Sequence, residues 1–426
     1  MAANKSWILS SILLSALLLG ACGNSEKASE DKKTKEEEKP KMEETASDTD
    51  KDVSKEEKDK TEVEESGSEG EALNPYIEGE TGGKSEILYT NDNPGFESDE
   101  NGFKVTVDKY QIAKVTDMDQ STANRFDGST SGYIITALMT VDNQSGKPVY
   151  FNGTTNIRLQ DELTYVPSNT RDFIEEGKGL RPKTYEAGLD GNTNMYEDGE
   201  KTSGLITYKM TEDQYNMMTG VKPKFVMESS ASQSKDFKGS GEFMPEKIFD
   251  FTYSGEQAEA SASAPQFYPD SMTTDNIADK KMIFEKNDIN KTEKIEDAVD
   301  ITLDGVQYAE VIPTAGNEAR FGDDEMVALT VKTTVKNNTD KELNLFNLSA
   351  KVTIDEDRGY TRNNGFAEPS EPKKVKAGEE ADRYFVFLFR KDEFQLFKQF
   401  DMEIGPFFGE KEYLFGEKTV QFELPR

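Results

Sequence analysis

The chemistry open to this chain is limited first by what it lacks. Its 426 residues include no histidine and one cysteine, Cys22. Histidine triads, Cys-His nucleophiles, disulfides and His/Cys zinc sites are therefore excluded. There is no imidazole to change charge near neutral pH. Any metal must be held by oxygen ligands, which means calcium or magnesium chemistry. With 83 acidic residues, carboxylate pairs for acid–base hydrolysis are available everywhere and so single out no place. Asp190-Gly-Asn192-Thr-Asn194 has the spacing that opens a calcium loop. However, Met195 stands where an EF-hand needs glycine, and Lys201 where it needs a bidentate glutamate. Gly177-Lys-Gly179 lacks the Gly-Lys-Ser/Thr continuation of a phosphate loop. No catalytic residue, metal or cofactor is expected from these patterns.

Cys22 is the one residue whose surroundings specify a reaction. Lys5 supplies a small positive region, Ile8 to Leu19 is an apolar run too short for an ordinary membrane span, and Leu19-Gly20-Ala21 lead into the cysteine. This ending resembles the lipobox of bacterial lipoproteins, in which the cysteine receives a diacylglyceryl thioether and becomes the mature N-terminus. The resemblance implies a signal peptide over residues 1–21, lipidation at Cys22, and a cell-membrane location on the extracellular face. The two-chain lipid matters because a single acyl chain anchors only marginally. The sole tryptophan, Trp7, leaves with the signal.

The formal charge is −32. Residues 23–73 hold 19 acidic and 10 basic side chains with almost nothing to bury, so 22–84 is expected to be a disordered Glu/Lys-rich tether. Its root-mean-square span is roughly 40 Å. The rest of the chain stays strongly acidic, which repels nucleic acid and anionic lipids and suits a cationic or neutral partner.

From about Ile87, short alternating apolar runs separated by Gly, Asn, Asp and Pro predict strands and turns. The pattern occurs twice. Phe103–Ala113 aligns with Val299–Ala309 without a gap, Tyr133–Val141 with Val327–Val335, and Asn143 with Asn337. Leu159 and Tyr165 fall on Ile354 and Tyr360, Gly199–Tyr215 on Gly378–Phe394, and Phe225–Glu228 on Phe400–Glu403. The order held over so long a stretch points to an internal repeat. Thr211–Met218 and Arg390–Phe397 break the alternation and suit helical turns between sheets.

A strand ending in Val-x-Asn, a polar turn with Lys, then Leu-x-Asp-x-x-x-Tyr is carried by Val141, Asn143, Lys147, Leu159, Asp161 and Tyr165. The second copy has Val335, Asn337, Lys341, Ile354 and Tyr360, with Glu356 in place of the Asp. These motifs resemble the telokin-like immunoglobulin-fold domains of Gram-positive lipoproteins. The resemblance implies an all-β fold of two tandem immunoglobulin-like sandwiches and transfers no catalytic residue. The expected division is 85–253 and 281–426, joined by a Ser/Ala/Glu-rich linker over 254–280.

Three places are candidate contact surfaces. The first copy carries about 15 additional residues between Thr170 and Asp198, including Phe173, Leu180, Arg181, Tyr185 and Tyr196; they bind a partner or cover the domain's own core. The second copy has an aromatic loop, Gly405-Pro-Phe407-Phe408-Gly409, followed by Tyr413 and Phe415; it is a contact surface or a hairpin tip packed on its own sheet. The third place follows from strand alternation. Ile206, Tyr208 and Met210 match Phe385, Phe387 and Phe389 as a core face, but the opposite face is Leu205, Thr207 and Lys209 in one copy and Tyr384, Val386 and Leu388 in the other. That second apolar face is expected to be covered by the first domain or the linker, by an external partner, or by a loop of its own domain. Together these features predict a non-enzymatic, lipid-anchored module for an extracellular protein partner. The different-class alternative is a carboxylate-based, calcium-dependent hydrolase of wall glycans.

Overall fold

The computed structural model describes residues 71–186, 194–228, 231–237, 243–409 and 412–426. The expected signal peptide, Cys22, the expected tether up to residue 70, and Asp190 and Asn192 lie outside the described residues. Strands dominate, and a long sheet with a facing four-stranded sheet occurs twice. The first repeat contains β1 (Lys84–Asn91), β2 (Phe96–Glu100), β3 (Phe103–Thr116), β4 (Gly132–Asn143), β5 (Val149–Phe151), β6 (Thr155–Arg158) and β7 (Tyr165–Pro167). It continues with β8 (Met195–Tyr196), β9 (Lys201–Met210), β10 (Lys224–Met227), β11 (Ala231–Ser232) and β12 (Lys247–Asp250). The second repeat contains β13 (Ala278–Lys286), β14 (Lys291–Ile295), β15 (Val299–Pro313), β16 (Met326–Asn337), β17 (Leu343–Asn344) and β18 (Leu348–Ile354). Its remaining strands are β19 (Gly359–Arg362), β20 (Lys374–Val375), β21 (Glu380–Arg390), β22 (Phe400–Phe407) and β23 (Val420–Leu424).

The long sheet of the first repeat has the order β1-β3-β4-β9, with β2 also on β3; in the second it is β13-β15-β16-β21, with β14 on β15. The facing sheets run β12-β10-β6-β7 and β23-β22-β18-β19. The bulges repeat too, at Val107/Lys109 and Leu303/Gly305, and at Ile87/Tyr89 and Met282/Phe284. Each sandwich encloses its own core, built around Phe103, Tyr110, Tyr208 and Phe225 in one and Tyr308, Phe385, Phe387 and Phe400 in the other. The helical turns form at Glu212–Thr219, opened by a Thr211/Gln214 capping box, and at Lys391–Phe394.

One buried amide fixes the same corner of both repeats. Asn143 donates to the carbonyls of Lys147, Tyr196 and Glu197 at 2.8–3.1 Å and accepts from the Ser145 amide and hydroxyl. Asn337 does the same with Lys341, Val375, Lys376 and Thr339. The turn thus meets its hydrogen-bonding demand away from water.

Two of the expected boundaries move. Residues 71–84 are not part of a tether: the Leu73 amide donates to Gln111 at 2.6 Å, Gln111 donates back to the Glu71 carbonyl, and helix Tyr76–Thr81 buries Ile77 on the sheet. The second repeat opens identically, with the Tyr268 amide on Gln307 and Gln307 on the Gln266 carbonyl. The expected linker is therefore a helix, Gly255–Ser263, capped by Ser254, followed by the leader of the second repeat. These leaders cover faces that alternation leaves apolar. Ile77, Val115, Phe126, Ile134 and Phe173 form one outer layer; Met272, Ile277, Val311, Phe321, Ala328, Ala367 and Val386 form the other. Tyr384, Val386 and Leu388 are thus covered by the leader within 254–280 together with loops of the same repeat. In the first repeat the matching face is not solvated either: Thr207 is buried and donates to the Asp172 carbonyl at 2.8 Å, because the insertion after Thr170 lies over it.

Arg158 on β6 joins the repeats. Its guanidinium meets Asp275 at 2.6 Å and Glu246 at 3.8 Å, while Asn276 donates to the Leu159 carbonyl at 3.1 Å and Lys222 pairs with Asp279 at 3.2 Å. Burial raises the pKa of Asp275; Arg158 pulls it down, and Glu162 and Glu246 push it up. Burial raises Glu246 as well. A carboxyl whose folded pKa lies above its unfolded value is protonated first in the folded state. Its contribution to stability is greatest at low pH and declines as pH rises through the raised pKa. Asp275→Asn should therefore flatten the stability–pH curve in the weakly acidic range, measured by urea unfolding at a series of pH values. Lys280 and Asp270 form an ion pair in which both side chains are wholly buried. Asp270→Ala should cost about 3–5 kcal/mol by leaving the ammonium uncompensated, and Asp270→Ala with Lys280→Met should recover much of it in the same assay.

Candidate functional site

Strand alternation builds one open face on the second repeat. Along β18, Leu348, Ala350, Val352 and Ile354 point into the core while Ser349, Lys351 and Thr353 point out. On β22 the outward residues are Asp401, Glu403 and Gly405. The edge strand β19 adds Tyr360 and Arg362, both exposed. Near its end β22 needs a left-handed residue, supplied by Gly405 at φ 104°, where a Cβ would meet the Lys418 carbonyl oxygen at 3.1 Å. Beyond it the two phenylalanines part. Phe407 turns inward onto Phe415 and is 1% exposed, whereas Phe408 stands out, edge-on to Tyr413 with ring centroids 5.1 Å apart. The amide of Leu414 donates to the Phe407 carbonyl at 2.8 Å and that of Gly409 to Glu412 at 2.8 Å, which holds the hairpin.

Between these elements lies an open groove of about 440 Å³, floored by Ser349, Ala350 and Lys351 and walled by Arg362, Glu403, Phe408 and Tyr413. Phe346, 76% exposed, is the neighbour in sequence of the groove residue Asn347, whereas Tyr360, 62% exposed, lies farther along the sheet, across from Thr353. Lys351 pairs with Glu403 at 3.2 Å, so the groove's acid is already neutralised. Arg362 has its guanidinium 5.9 Å from the Tyr360 ring centroid and no ion-pair partner among the described residues. The groove is therefore aromatic with residual positive charge, on a chain that is otherwise strongly acidic. The corresponding face of the first repeat is closed. Asn156 and Arg158 on β6 are buried there because Glu228, Asp275 and Asn276 lie over them.

The structure separates the candidates named from sequence. Phe408 is at the groove, but Phe407 is core. Val386 is fully buried and Leu388 half-buried in the outer layer, and Tyr384 is half-buried 5.9 Å from the Tyr268 ring; none of the three presents a free surface. Burial drives the Tyr384 hydroxyl well above the usual tyrosine range, with Asp382 adding to the effect. Arg181 and Tyr185 lie together on the first repeat, guanidinium 4.5 Å from the ring centroid. Sequence reasoning passed over Phe346, Lys351 and Arg362. The only signal for Phe346 was a phenylalanine set between Asn344 and Asn347 at a turn. Among the described residues no group of three or more acidic or cysteine side chains is placed to hold a metal, and no helix is long and apolar enough to cross a membrane.

The fold and this face define a β-sandwich protein with an exposed aromatic groove. Residues 54–254 match the model of a domain of unknown function (DUF5068). No curated protein matches the chain. Among solved structures, the chain is similar to a functionally unknown protein from Listeria monocytogenes EGD-e, with 19% identity, 41% of this chain and 91% of that one covered, and TM-score 0.34. A conserved hypothetical protein from Bacillus anthracis is 22% identical over 31% of this chain and 97% of its own, with TM-score 0.23. An uncharacterized beta-sandwich protein from Clostridium difficile 630 is 11% identical over 34% and 99%, with TM-score 0.23.

The two neighbouring phenylalanines should behave oppositely. Phe407→Ala should lower the free energy of unfolding by about 3–5 kcal/mol, as for a buried aromatic. Phe408→Ser should change it by less than about 0.5 kcal/mol, both read from denaturant midpoints.

Proposed function

We propose that the chain is a lipid-anchored protein of the outer cell surface that binds an extracellular protein partner and catalyses no reaction. The observation that carries this reading is the aromatic groove of the second repeat. Phe408 and Tyr413, which line it, and Phe346, next in sequence to the groove residue Asn347, are between 41% and 76% exposed beside a sheet whose interior is already filled. Large aromatics left in water gain most by desolvation against a partner, and they are the residues that anchor protein interfaces. The rigid sheet beneath them keeps their ordering cost low. Support for the anchor comes from the Leu19-Gly20-Ala21-Cys22 sequence.

Cross-linking of the full-length chain on intact cells, followed by mass spectrometry, tests both parts. The unaltered chain should fractionate with membranes and capture a distinct extracellular protein. Cys22→Ala should release it to the soluble fraction. The triple variant Phe346→Ser, Phe408→Ser, Tyr413→Ser should stay on the membrane and lose the captured protein. An identical set of cross-linked proteins for the triple variant would overturn the groove as the binding face, and membrane retention of Cys22→Ala would overturn the anchor.

A further inference from the structure

A second cavity, on the first repeat, offers a different chemistry and does not depend on the aromatic groove. It has a volume of about 150 Å³ and lies between the turn after β5, the turn at Thr170 and the segment from Leu180 to Tyr185. Arg171 and Arg181 line it, and no Asp or Glu among the described residues does, in a chain where acidic residues outnumber basic ones 83 to 51. Neither guanidinium has an ion-pair partner among the described residues. Arg181 is set in place from both sides. Its neighbours Leu180 and Pro182 are buried, the Thr202 hydroxyl donates to its carbonyl at 3.4 Å, and its guanidinium stacks on Tyr185 at 4.5 Å. Stacking holds the planar cation while leaving its N–H groups free to donate. Across the cavity, Asn194 donates to the Asn152 side-chain oxygen at 2.7 Å, which occupies the acceptor of Asn152 and leaves its amide N–H₂ available. The nearby buried acid, Glu200, does not line the cavity; its carboxylate is taken by the amides of Lys183 at 2.7 Å and Glu197 at 2.9 Å.

The polar groups presented to this cavity are therefore mainly donors, two of them charged. We propose that it binds one oxyanionic group of an external ligand, a carboxylate or a phosphate, with Arg171 and Arg181 as charge-assisted donors and Asn152 as a neutral one. Arginine presents a fork of N–H groups that matches either oxyanion in a bidentate manner. The volume admits one such group and little more, well below the few hundred Å³ that enclose a drug-sized molecule. The remainder of the ligand would extend outward over the surface.

Isothermal titration calorimetry of the full chain with inorganic phosphate and, separately, with acetate tests this, with sodium chloride as the ionic-strength control. Saturable one-to-one binding of either anion is expected, and the preferred anion assigns the ligand as a phosphate or a carboxylate. Arg171→Gln with Arg181→Gln should weaken binding by about tenfold or more, since both charged hydrogen bonds are lost. Arg181→Lys, which keeps the charge and the stem packing, should weaken it less and guards against misfolding of the double variant. Arg320→Gln, on the other repeat and outside both cavities, should bind as the unaltered chain does. Absence of saturable binding by both anions, or binding unaffected by the double variant, or equal loss in Arg320→Gln, would each overturn the proposal.

Discussion

The long sheet of each repeat is apolar on both faces, and most of the architecture answers to that constraint. Along β4, Tyr133 to Leu138 are buried or nearly so without alternation, and β16 repeats this from Val327 to Val331. A strand buried on two sides needs a layer on each. The facing sheet supplies one. The other is the short leader that precedes each first strand, pinned by Gln111 or Gln307 in a two-way amide bridge and seated through Ile77 or Met272. The repeating unit is thus three layers, and it begins about ten residues before its first strand.

Much of this was legible in the sequence, and the failures have physical reasons. Period-two alternation in β3 and β15, with Asn143 and Asn337 at matching turns, was enough to show the repeat. The leaders were missed because helix Tyr76–Thr81 and turn Ser271–Thr274 are too short to carry a helical period and sit in polar composition. Register was the other weakness. Leu159 was matched to Ile354 and Phe225 to Phe400, yet Phe225 lies across from Ile157 while Phe400 lies across from Ile354. Both matches cannot hold. A slip of two residues leaves every side chain on its proper face, so alternation is blind to it. At the candidate sites, Phe407 and Phe408 are chemically identical and adjacent. Only the positive φ of Gly405 and the hairpin that follows decide which of them enters the core.

Charge is distributed with similar economy. Across most of the described surface, lysines and arginines sit beside carboxylates, as in the pairs of Lys104 with Glu97 and Lys374 with Glu342. Such exposed pairs contribute little to stability. They matter more by contrast: Arg362, Arg171 and Arg181 belong to the cations that have no carboxylate partner among the described residues, and these three line cavities. On an acidic molecule those positions are local reversals of sign, and Arg362 and Arg181 each lie beside an aromatic ring.

The junction at Arg158 also gives the molecule a direction. The outer face of β6 and β10 holds the start of the following unit, so a unit in this arrangement uses that surface on its successor. On the second unit the same face of the sheet, at Lys351 on β18 and Glu403 on β22, carries the open groove. The two copies of the unit therefore use one equivalent surface differently: the junction closes it in the first, and an open groove lies on it in the second.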